Sequence, residues 1–264
     1  MSDCLCLRNV SKSYRAGVHG CSATVAVLRD VDLTVTPGEI VAISASPAAG
    51  KTTLLMTGAG LMRPDRGVVS WFGTAAGRDG APRPDGIAYA GERPFPYGFL
   101  SAREALEYAA IVRDLPMRDS ANRVGCALER TRLAAIADRR VDSLSASDLA
   151  RLSVAGAMLS EPRLLLVDDV ASGCDAATAE ELVRLLQAVA ADGAGVVVAG
   201  RMVPWLAALS SHRGVPTRFL SLVAGRLQAV GDGSAPPVRR QPTLSHARVA
   251  ELSPEASARQ IGGR

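Results

Sequence analysis

The sequence predicts an α/β fold built around a mostly parallel central sheet. Short apolar runs at residues 40–44, 164–167 and 196–199 are typical of strands that are covered on both faces. Helical patterns separate these runs along the chain, and strands that alternate with helices form parallel sheets. From about residue 101 to 160, in contrast, helix follows helix without a strand. We therefore expect a helical subdomain to be inserted into the parallel sheet.

The region before the first apolar run has a different pattern. Residues 5–10 predict a strand, and Val31, Leu33 and Val35 alternate with polar residues on a period of two. Such alternation indicates a strand with one solvent-exposed face, which is common in antiparallel sheets. After the turn at Pro64–Gly67, the sequence predicts another strand at residues 68–72 and a surface loop at residues 73–86. We expect an N-terminal antiparallel β subdomain here.

Capping residues and prolines define the predicted helices. Ser101 and Glu104 have the spacing of a capping box, which begins the helical stretch, and Pro116 interrupts it. Pro162 ends the stretch before the apolar run at 164–167. Asp175 can cap a further helix, whose apolar residues follow at helical spacing up to Val189.

Composition favours a globular chain over a nucleic-acid-binding one. The 264 residues are 48% hydrophobic and 21% charged, with a net charge of +4 and a sequence pI near 9.0. Basic residues number 30, of which only Lys12 and Lys51 are lysines, and they face 26 acidic residues. The arginines are spread along the whole chain, whereas a nucleic-acid footprint is a clustered basic stripe. We expect an ordinary, nearly balanced surface and no nucleic-acid partner.

Targeting signals and cysteines indicate the compartment. The N-terminus lacks a secretory signal pattern, and no stretch approaches the roughly 18 apolar residues of a membrane span. The five cysteines are odd in number and irregular in spacing, which argues against a disulfide framework. Cys4 and Cys6 have no matching Cys/His pair that would complete a metal site. We expect a soluble, cytoplasmic protein, so that any role at a membrane needs another polypeptide.

A candidate phosphate-binding loop follows the strand at 40–44. Its residues are Ala45, Ser46, Pro47, Ala48, Ala49, Gly50, Lys51, Thr52 and Thr53. Unpaired backbone N–H groups at a helix start bind phosphate, a Lys ammonium reaches the terminal phosphates, and the Thr52 hydroxyl can bind Mg²⁺. Ala45 replaces the first glycine of the phosphate-loop pattern Gly-x-x-x-x-Gly-Lys-Ser/Thr. Because alanine resists positive φ, the loop must avoid such angles at its alanines or carry strain. The alternative is a small-residue turn that caps a helix.

A second motif lies at the end of the strand at 164–167. Four aliphatic residues precede Asp168 and Asp169, which is the Walker B arrangement. Asp168 would position Mg²⁺ opposite the lysine loop, and Asp169 would polarise the attacking water. The carboxyl ends of strands in α/β sheets are where ligands bind. Both motifs are therefore expected at the same edge of the sheet.

The order and spacing of these motifs resemble the nucleotide-binding domain of ATP-binding cassette (ABC) transporters, a P-loop NTPase fold, over about residues 4–230. The resemblance implies ATP and Mg²⁺ as ligands. It also assigns roles to single residues: Tyr14 stacks on adenine, Glu92 takes the Q-loop position, and Arg201 takes the switch-histidine position. Two segments match as well, Leu144–Asp148 with Ser145 to the signature motif and Ser172–Asp175 to the D-loop.

The departures from the family pattern fall on its hydrolytic positions. Glu92 replaces a glutamine and can still bind a water or Mg²⁺, Asp169 is one methylene shorter than the family's glutamate, and Arg201 cannot act as a neutral imidazole. Ala146 and Ser147 replace two glycines of the signature. By this resemblance Asp169, Glu92 and Arg201 are the catalytic positions, and Thr52, Asp168 and Glu92 are the metal-binding ones. We expect the chain to bind Mg-ATP and to hydrolyse it slowly or not at all.

An aromatic cluster predicts a partner. Phe95, Tyr97 and Phe99 lie in a segment with two prolines and a glycine, and clustered loop aromatics are typical of interfaces. The alternative is a small satellite core. By the resemblance, this region meets a membrane permease, which would hold the chain at the inner face of the cell membrane. A second nucleotide-binding domain, identical or different, would complete the ATP sandwich.

Three functions are compatible with the phosphate loop. The first is the ATP-binding subunit of a transporter, and the second is a soluble ATP-sensing module without a permease. A small-molecule kinase, the third, leaves Tyr14 and the Leu144–Ser145 segment unexplained. We expect residues 1–230 to form the nucleotide-binding domain, with a helical subdomain at about 91–162, and residues 231–264 to form a C-terminal tail.

Overall fold

The computed structural model describes residues 2–18, 21–75, 84–91, 97–201, 209 and 214–230, and the side chains of residues 16–18 and 21–23 are not considered. Within these ranges the chain forms ten strands, β1–β10, and five α-helices, α1–α5. The strands make two sheets, one of four strands and one of six. No described helix is long and apolar enough to cross a bilayer.

The four-stranded sheet is antiparallel and lies in the N-terminal part of the chain. It contains β1 (Leu5–Val18), β2 (Cys21–Val35), β4 (Arg66–Trp71) and β5 (Thr74–Ala75), in the order β2-β1-β4-β5. The alternating pattern before Val35 therefore predicted the strand type correctly. β1 and β2 are longer than expected because they continue as a hairpin, in which the end of β1 pairs with the start of β2 up to Val18 opposite Cys21.

The six-stranded sheet has a parallel core. Its members are β3 (Ile40–Ala45), β6 (Ile87–Ala90), β7 (Leu164–Asp168), β8 (Gly195–Gly200), β9 (Thr217–Val223) and β10 (Arg226–Ala229). They follow the order β10-β9-β3-β8-β7-β6, and only β10 is antiparallel to its neighbour. Every residue of β3, β7 and β8 is buried, as expected for strands covered on both faces. The predicted α/β class is confirmed.

Two helices follow strands of this sheet, and three form the inserted unit. α1 (Lys51–Gly58) follows β3, and α5 (Ala176–Ala191) follows β7. α2 (Ala102–Val112), α3 (Met117–Arg130) and α4 (Ala146–Met158) lie between β6 and β7, with short 3-10 turns at Ala134–Ile136 and Val141–Ser143. Both capping predictions are confirmed, since Ser101 and Glu104 form a capping box on α2 and Asp175 caps α5.

Three groups of buried apolar side chains hold these layers together. One lies between the antiparallel sheet and one face of the parallel sheet. Another lies between the opposite face of the parallel sheet and helices α4 and α5, and the third joins α2, α3 and α4. The third group gives the inserted helices a small core of their own. The arrangement leaves the carboxyl ends of β3 and β7 at one edge of the sheet.

Candidate functional site

The candidate phosphate-binding loop begins where β3 ends. Ala45 is the last residue of β3, where it is paired with Leu222, and not the first residue of the loop as expected. Gly50 precedes α1 with φ of 100°, and a Cβ at this position would meet Val27 Cγ1 at 2.7 Å. Only glycine fits both constraints. The first N–H groups of α1 have no carbonyl one turn earlier to bind, so they remain available to an anion.

Of the two alternatives that the sequence left open for the loop alanines, backbone strain is the one found at Ala48. Its φ is 60°, in the left-handed region, whereas no other alanine of the loop has a positive φ. Alanine in this region is disfavoured because Cβ approaches the following carbonyl oxygen. The loop thus keeps the bend that a glycine normally supplies and accepts its conformational cost.

Lys51 lies at the centre of the site. Its side chain is 8% exposed, and Nζ donates to the carbonyl oxygens of Ala45 at 3.5 Å and Ser46 at 3.3 Å. The same nitrogen lies 4.0 Å from Asp169 Oδ2. Lys51 and Asp169, which are 118 positions apart in the sequence, therefore bring the two sequence motifs together at one point. Thr52 is exposed beside Lys51, and Thr53 is buried.

Tyr14 extends from β1 toward the start of α1. Its hydroxyl lies 3.2 Å from Thr53 Oγ1 and donates to Met62 Sδ at 3.0 Å, and the residue is 40% exposed. An aromatic ring that is partly exposed next to a phosphate-binding helix is well placed to stack on a base. Nearby, Lys12 donates to Asp65 Oδ1 at 2.8 Å, and this bond lowers the pKa of the Asp65 carboxyl.

Asp168 and Asp169 end and follow β7, as predicted. Asp168 is 5% exposed, and its Oδ2 accepts a hydrogen bond of 2.8 Å from the Tyr89 hydroxyl. Burial, and then the Asp168 charge, raises the pKa of Tyr89 above its ordinary value. Oδ1 of Asp168 and Oδ1 of Asp169 are buried and have no hydrogen-bond partner among the residues that the structure describes. Buried carboxylate oxygens of this kind fit a hard cation such as Mg²⁺, which takes oxygen ligands.

Arg201 follows β8 and approaches the same carboxylate. Its Nε lies 4.0 Å from Asp169 Oδ2, and its guanidinium donates to Ser172 Oγ. Asp169 therefore stands between two cations, Lys51 and Arg201. It also has φ of 49°, and its N–H donates to the Ala199 carbonyl at 2.8 Å. This bond fixes the backbone turn that aims the carboxylate across the site.

The segment at the signature position forms the start of α4. Ser145 is the N-cap, and its Oγ accepts from the Asp148 N–H at 3.1 Å while donating to Asp148 Oδ2 at 2.6 Å. Asp148 Oδ1 in turn accepts from Arg151 at 3.1 Å. The sequence analysis assigned no role to Asp148. In the structure its carboxylate adds a negative charge to the first turn of α4 and accepts the hydrogen bond that the Ser145 hydroxyl donates.

A further hydrogen bond ties the start of α4 to the start of α5. Ser147 Oγ donates to Asp175 Oδ2 at 2.6 Å, while Asp175 accepts from the N–H and the hydroxyl of Thr178. The Ser147 hydroxyl and then the Thr178 groups hold the pKa of the Asp175 carboxyl well below its ordinary value. The side chain of Ser147 therefore does more than replace a glycine, because it joins two helices.

Some expected site residues fall elsewhere. Glu92 and Phe95 lie outside the described residues, so their positions are not compared with the prediction. Tyr97 and Phe99 contact each other with ring centroids 5.6 Å apart, and Tyr97 packs edge-on against Tyr108. Phe99 is 63% exposed. The described part of the cluster is therefore not buried in a satellite core.

Tyr89 is a site residue that the sequence reading missed. It lies on β6 opposite Leu166 of β7, two positions before Asp168. Its only sequence signal is a tyrosine in an apolar strand, and buried tyrosines need a partner for the hydroxyl. Which acceptor that is depends on β6 and β7 being neighbours, and the sequence does not specify their pairing.

Known proteins share this architecture. A model of the ABC transporter family matches residues 28–172. The cytochrome c biogenesis ATP-binding export protein CcmA of Bordetella bronchiseptica is 37% identical over 186 residues, which are 70% of this chain and 77% of CcmA. The lipopolysaccharide export system ATP-binding protein LptB of Acidithiobacillus ferridurans is 30% identical over 204 residues, which are 75% of this chain and 80% of LptB.

Solved structures agree at the level of the fold. An ATP-binding cassette in a dimeric post-hydrolysis state, bound to ADP and phosphate, superimposes with a TM-score of 0.72 at 23% identity, covering 85% of this chain and 98% of that one. The family match spans more than half of the chain, and the relatives cover more than two thirds of it. The chain therefore belongs to the ABC transporter family, as one of its ATP-binding subunits.

Proposed function

We propose that this chain binds Mg-ATP in a sandwich with a second nucleotide-binding domain, and that it drives or regulates transport by a separate membrane permease. The observation that carries the proposal is the meeting of Lys51 with Asp169, 4.0 Å apart, at the start of α1 and beside the buried Asp168. Relatives named as ATP-binding proteins of export systems support it.

Each group of the site has a specific role in this proposal. The phosphate groups bind to backbone N–H groups of the loop from Ala45 to Thr53 and to Lys51, and Tyr14 stacks on adenine. Thr52 and Asp168 hold Mg²⁺, with Glu92 as a further candidate ligand. The cation, when bound, neutralises charge on the β- and γ-phosphates. The buried Oδ1 of Asp168, which has no hydrogen-bond partner among the described residues, supports this assignment.

We propose further that hydrolysis is weak because the residues around the γ-phosphate differ from those of the family. Asp169 is short, and Arg201 places a cation 4.0 Å from its carboxylate where the family has an imidazole. The start of α4 would face the nucleotide of the partner domain. There Asp148 adds negative charge near an anion, and the Ser145 hydroxyl is already donated to Asp148. Binding is therefore better supported than turnover.

The surface for the permease is proposed to include Tyr97 and Phe99. It continues into a cleft of about 880 Å³ between β6 and the inserted helices, which is lined by Leu61, Tyr108 and Val112 among others. Leu61 and Val112 contribute exposed apolar surface next to the aromatic pair, while Asp85, Arg113 and Ser153 contribute polar groups to the same cleft. A helical segment of a permease fits such a groove. Docking here would hold the chain at the inner face of the cell membrane.

The domain division follows from the same reading. We propose that residues 1–230 are the nucleotide-binding domain, with a helical subdomain at about 91–162 that docks the permease. The separate core among α2, α3 and α4 supports a subdomain with its own packing. Residues 231–264 lie outside the described part of the chain and remain a proposed tail.

The proposal is tested by Mg-ATP binding and turnover of the purified chain, alone and with any membrane protein that copurifies. We expect binding by the wild type, loss of binding in Lys51→Ala, and turnover at least about tenfold below that of a cassette carrying glutamate and histidine at these positions. The double variant Asp169→Glu with Arg201→His should turn over faster.

Three results would contradict it. Absence of ATP binding by the wild type would refute the nucleotide site, and wild-type turnover equal to that of ordinary cassette ATPases would refute weak hydrolysis. Copurification with a soluble regulator in place of a multi-span protein would favour an ATP-sensing module.

A further inference from the structure

Tyr89 connects the proposed docking cleft to the proposed metal site. Its ring lines the cleft between β6 and the inserted helices, while its hydroxyl donates to Asp168 Oδ2 at 2.8 Å. β6 and β7 are paired in parallel with Tyr89 opposite Leu166, so the tyrosine side chain reaches forward along the sheet to the strand end. The family resemblance assigns no role to this residue.

The hydrogen bond from Tyr89 makes the two carboxylate oxygens of Asp168 different from each other. Oδ2 accepts from the phenol, and Oδ1 is buried with no partner in the described part of the chain. A carboxylate with one oxygen fixed cannot rotate freely about its Cβ–Cγ bond. It therefore presents the other oxygen in one direction. A phenol donates without bringing a charge, so the carboxylate keeps its own charge for a cation.

The tyrosine is itself held in place from the helical side. A Cβ at Gly91 would lie 3.0 Å from Tyr89 Cε1, so the glycine leaves room for the ring. The carbonyl of Gly91 accepts a hydrogen bond of 2.7 Å from Ser153 Oγ on α4. The ring thus lies against a backbone segment that is fixed to α4.

We propose that Tyr89 is a positioning residue that orients Asp168 toward Mg²⁺ in the nucleotide complex. The inference rests on the proposed function. Partners that hydrogen-bond to metal-binding carboxylates fix the direction of the ligand, and their loss commonly costs about ten- to a hundredfold in metal affinity. Tyr89 matches that description in geometry, burial and chemistry.

The test compares ATP affinity with Mg²⁺ and with EDTA for wild type and Tyr89→Phe, which keeps the ring and removes only the hydroxyl. We expect the Mg²⁺-dependent gain in affinity to fall on the order of tenfold in the variant, while affinity in EDTA stays unchanged. Thr131→Val is the control, because it removes a buried hydroxyl that donates to the Ala127 carbonyl at 2.7 Å at the end of α3, and its Mg²⁺-dependent gain should equal that of the wild type.

A double-mutant cycle separates positioning from stability. In an Asp168→Asn background, Tyr89→Phe should produce no further loss of the Mg²⁺-dependent gain. A fall in both affinities together with the unfolding temperature would show a merely structural role and overturn the proposal. If Tyr89→Phe does not fold, Gly91→Ala, whose Cβ would press on the ring, should lower the same gain.

The result also distinguishes the two levels of inference. If the wild type binds Mg-ATP more tightly than ATP in EDTA and Tyr89→Phe does so equally, the role of Tyr89 is refuted and the nucleotide site stands. If the wild type binds no ATP under either condition, the proposed function is refuted, and the Tyr89 role with it.

Discussion

At the scale of single residues, Ala48 shows how a motif can lose a glycine and keep its shape. Its φ of 60° places an L-residue in the left-handed region, at a cost of about 1 kcal/mol. In the proposed function, the backbone bend at Ala48 directs N–H groups of the loop toward phosphate, and this role offsets the conformational cost. The strain is therefore located in the part of the chain where we propose that the ligand binds.

Ala48→Gly should raise the free energy of unfolding by about 1 kcal/mol, because glycine adopts this φ without the Cβ clash. The measurement is equilibrium denaturation in urea. Ala49→Gly is the matched control, since Ala49 has no positive φ and should gain nothing from glycine. Equal effects of the two substitutions would show that Ala48 is not strained.

Residue types predicted some members of the site and left others hidden. Lys51, Thr52 and Asp168 were identifiable because the chemistry of phosphate and Mg²⁺ demands those side chains at strand ends. Tyr89 was not, because its role depends on the pairing of β6 with β7. Asp148 was named only as the end of the signature segment, and its bonds to Ser145 and Arg151 arise only when the segment becomes a helix start.

At the scale of elements, the first turn of α4 is built for helix stability. Asp148 lies near the N-terminus of the helix, where a negative charge interacts favourably with the helix dipole, and Arg151 pairs with it at 3.1 Å. The same charge opposes the approach of a partner's nucleotide. Stability of α4 and sandwich formation are therefore expected to conflict at this position.

Asp148→Gln should lower the free energy of unfolding by about 0.5–1 kcal/mol and increase Mg-ATP-dependent association of two chains. Denaturation measures the first effect, and sedimentation with and without Mg-ATP measures the second. Asp142→Asn is the control, because it removes an exposed charge paired with Arg140 before the helix begins. Association that stays unchanged in Asp148→Gln while stability falls would contradict the conflict.

At the scale of the whole molecule, the two sheets meet at a very close contact. Gly195 begins β8, and a Cβ there would lie 2.9 Å from Cys4 Cβ and 3.0 Å from Val35 Cγ1. Cys4 precedes β1, and its N–H donates to the Val35 carbonyl at 2.7 Å. The antiparallel sheet therefore packs on the parallel one at a position where an added Cβ would force its neighbours to shift.

Gly195→Ala should lower the free energy of unfolding by about 1–3 kcal/mol, because the added methyl group forces the sheets apart. Gly125→Ala is the matched control: Gly125 lies within α3 with nothing near its missing Cβ, so alanine should add about 0.5–1 kcal/mol. Thermal and urea unfolding of both variants give the comparison. A neutral Gly195→Ala would show that the junction can yield.

Most of the architecture followed from the sequence, because periodicity reports which faces of an element are covered. The buried runs gave β3, β7 and β8, and caps at Ser101 and Asp175 marked helix starts. The order of the six strands did not follow. Pairing β3 with both β8 and β9 joins segments more than 150 residues apart, and no local pattern encodes such a contact.

The scarcity of lysine has a consequence for chemical labelling. Lys51 is 8% exposed and lies in the phosphate loop, while Lys12 is bound to Asp65. An amine-reactive reagent therefore meets two side-chain amines in the whole chain, in two different surroundings, among many arginines that it does not modify. Modification of Lys51 would report directly on occupancy of the loop, with Lys12 as an internal reference on the same molecule.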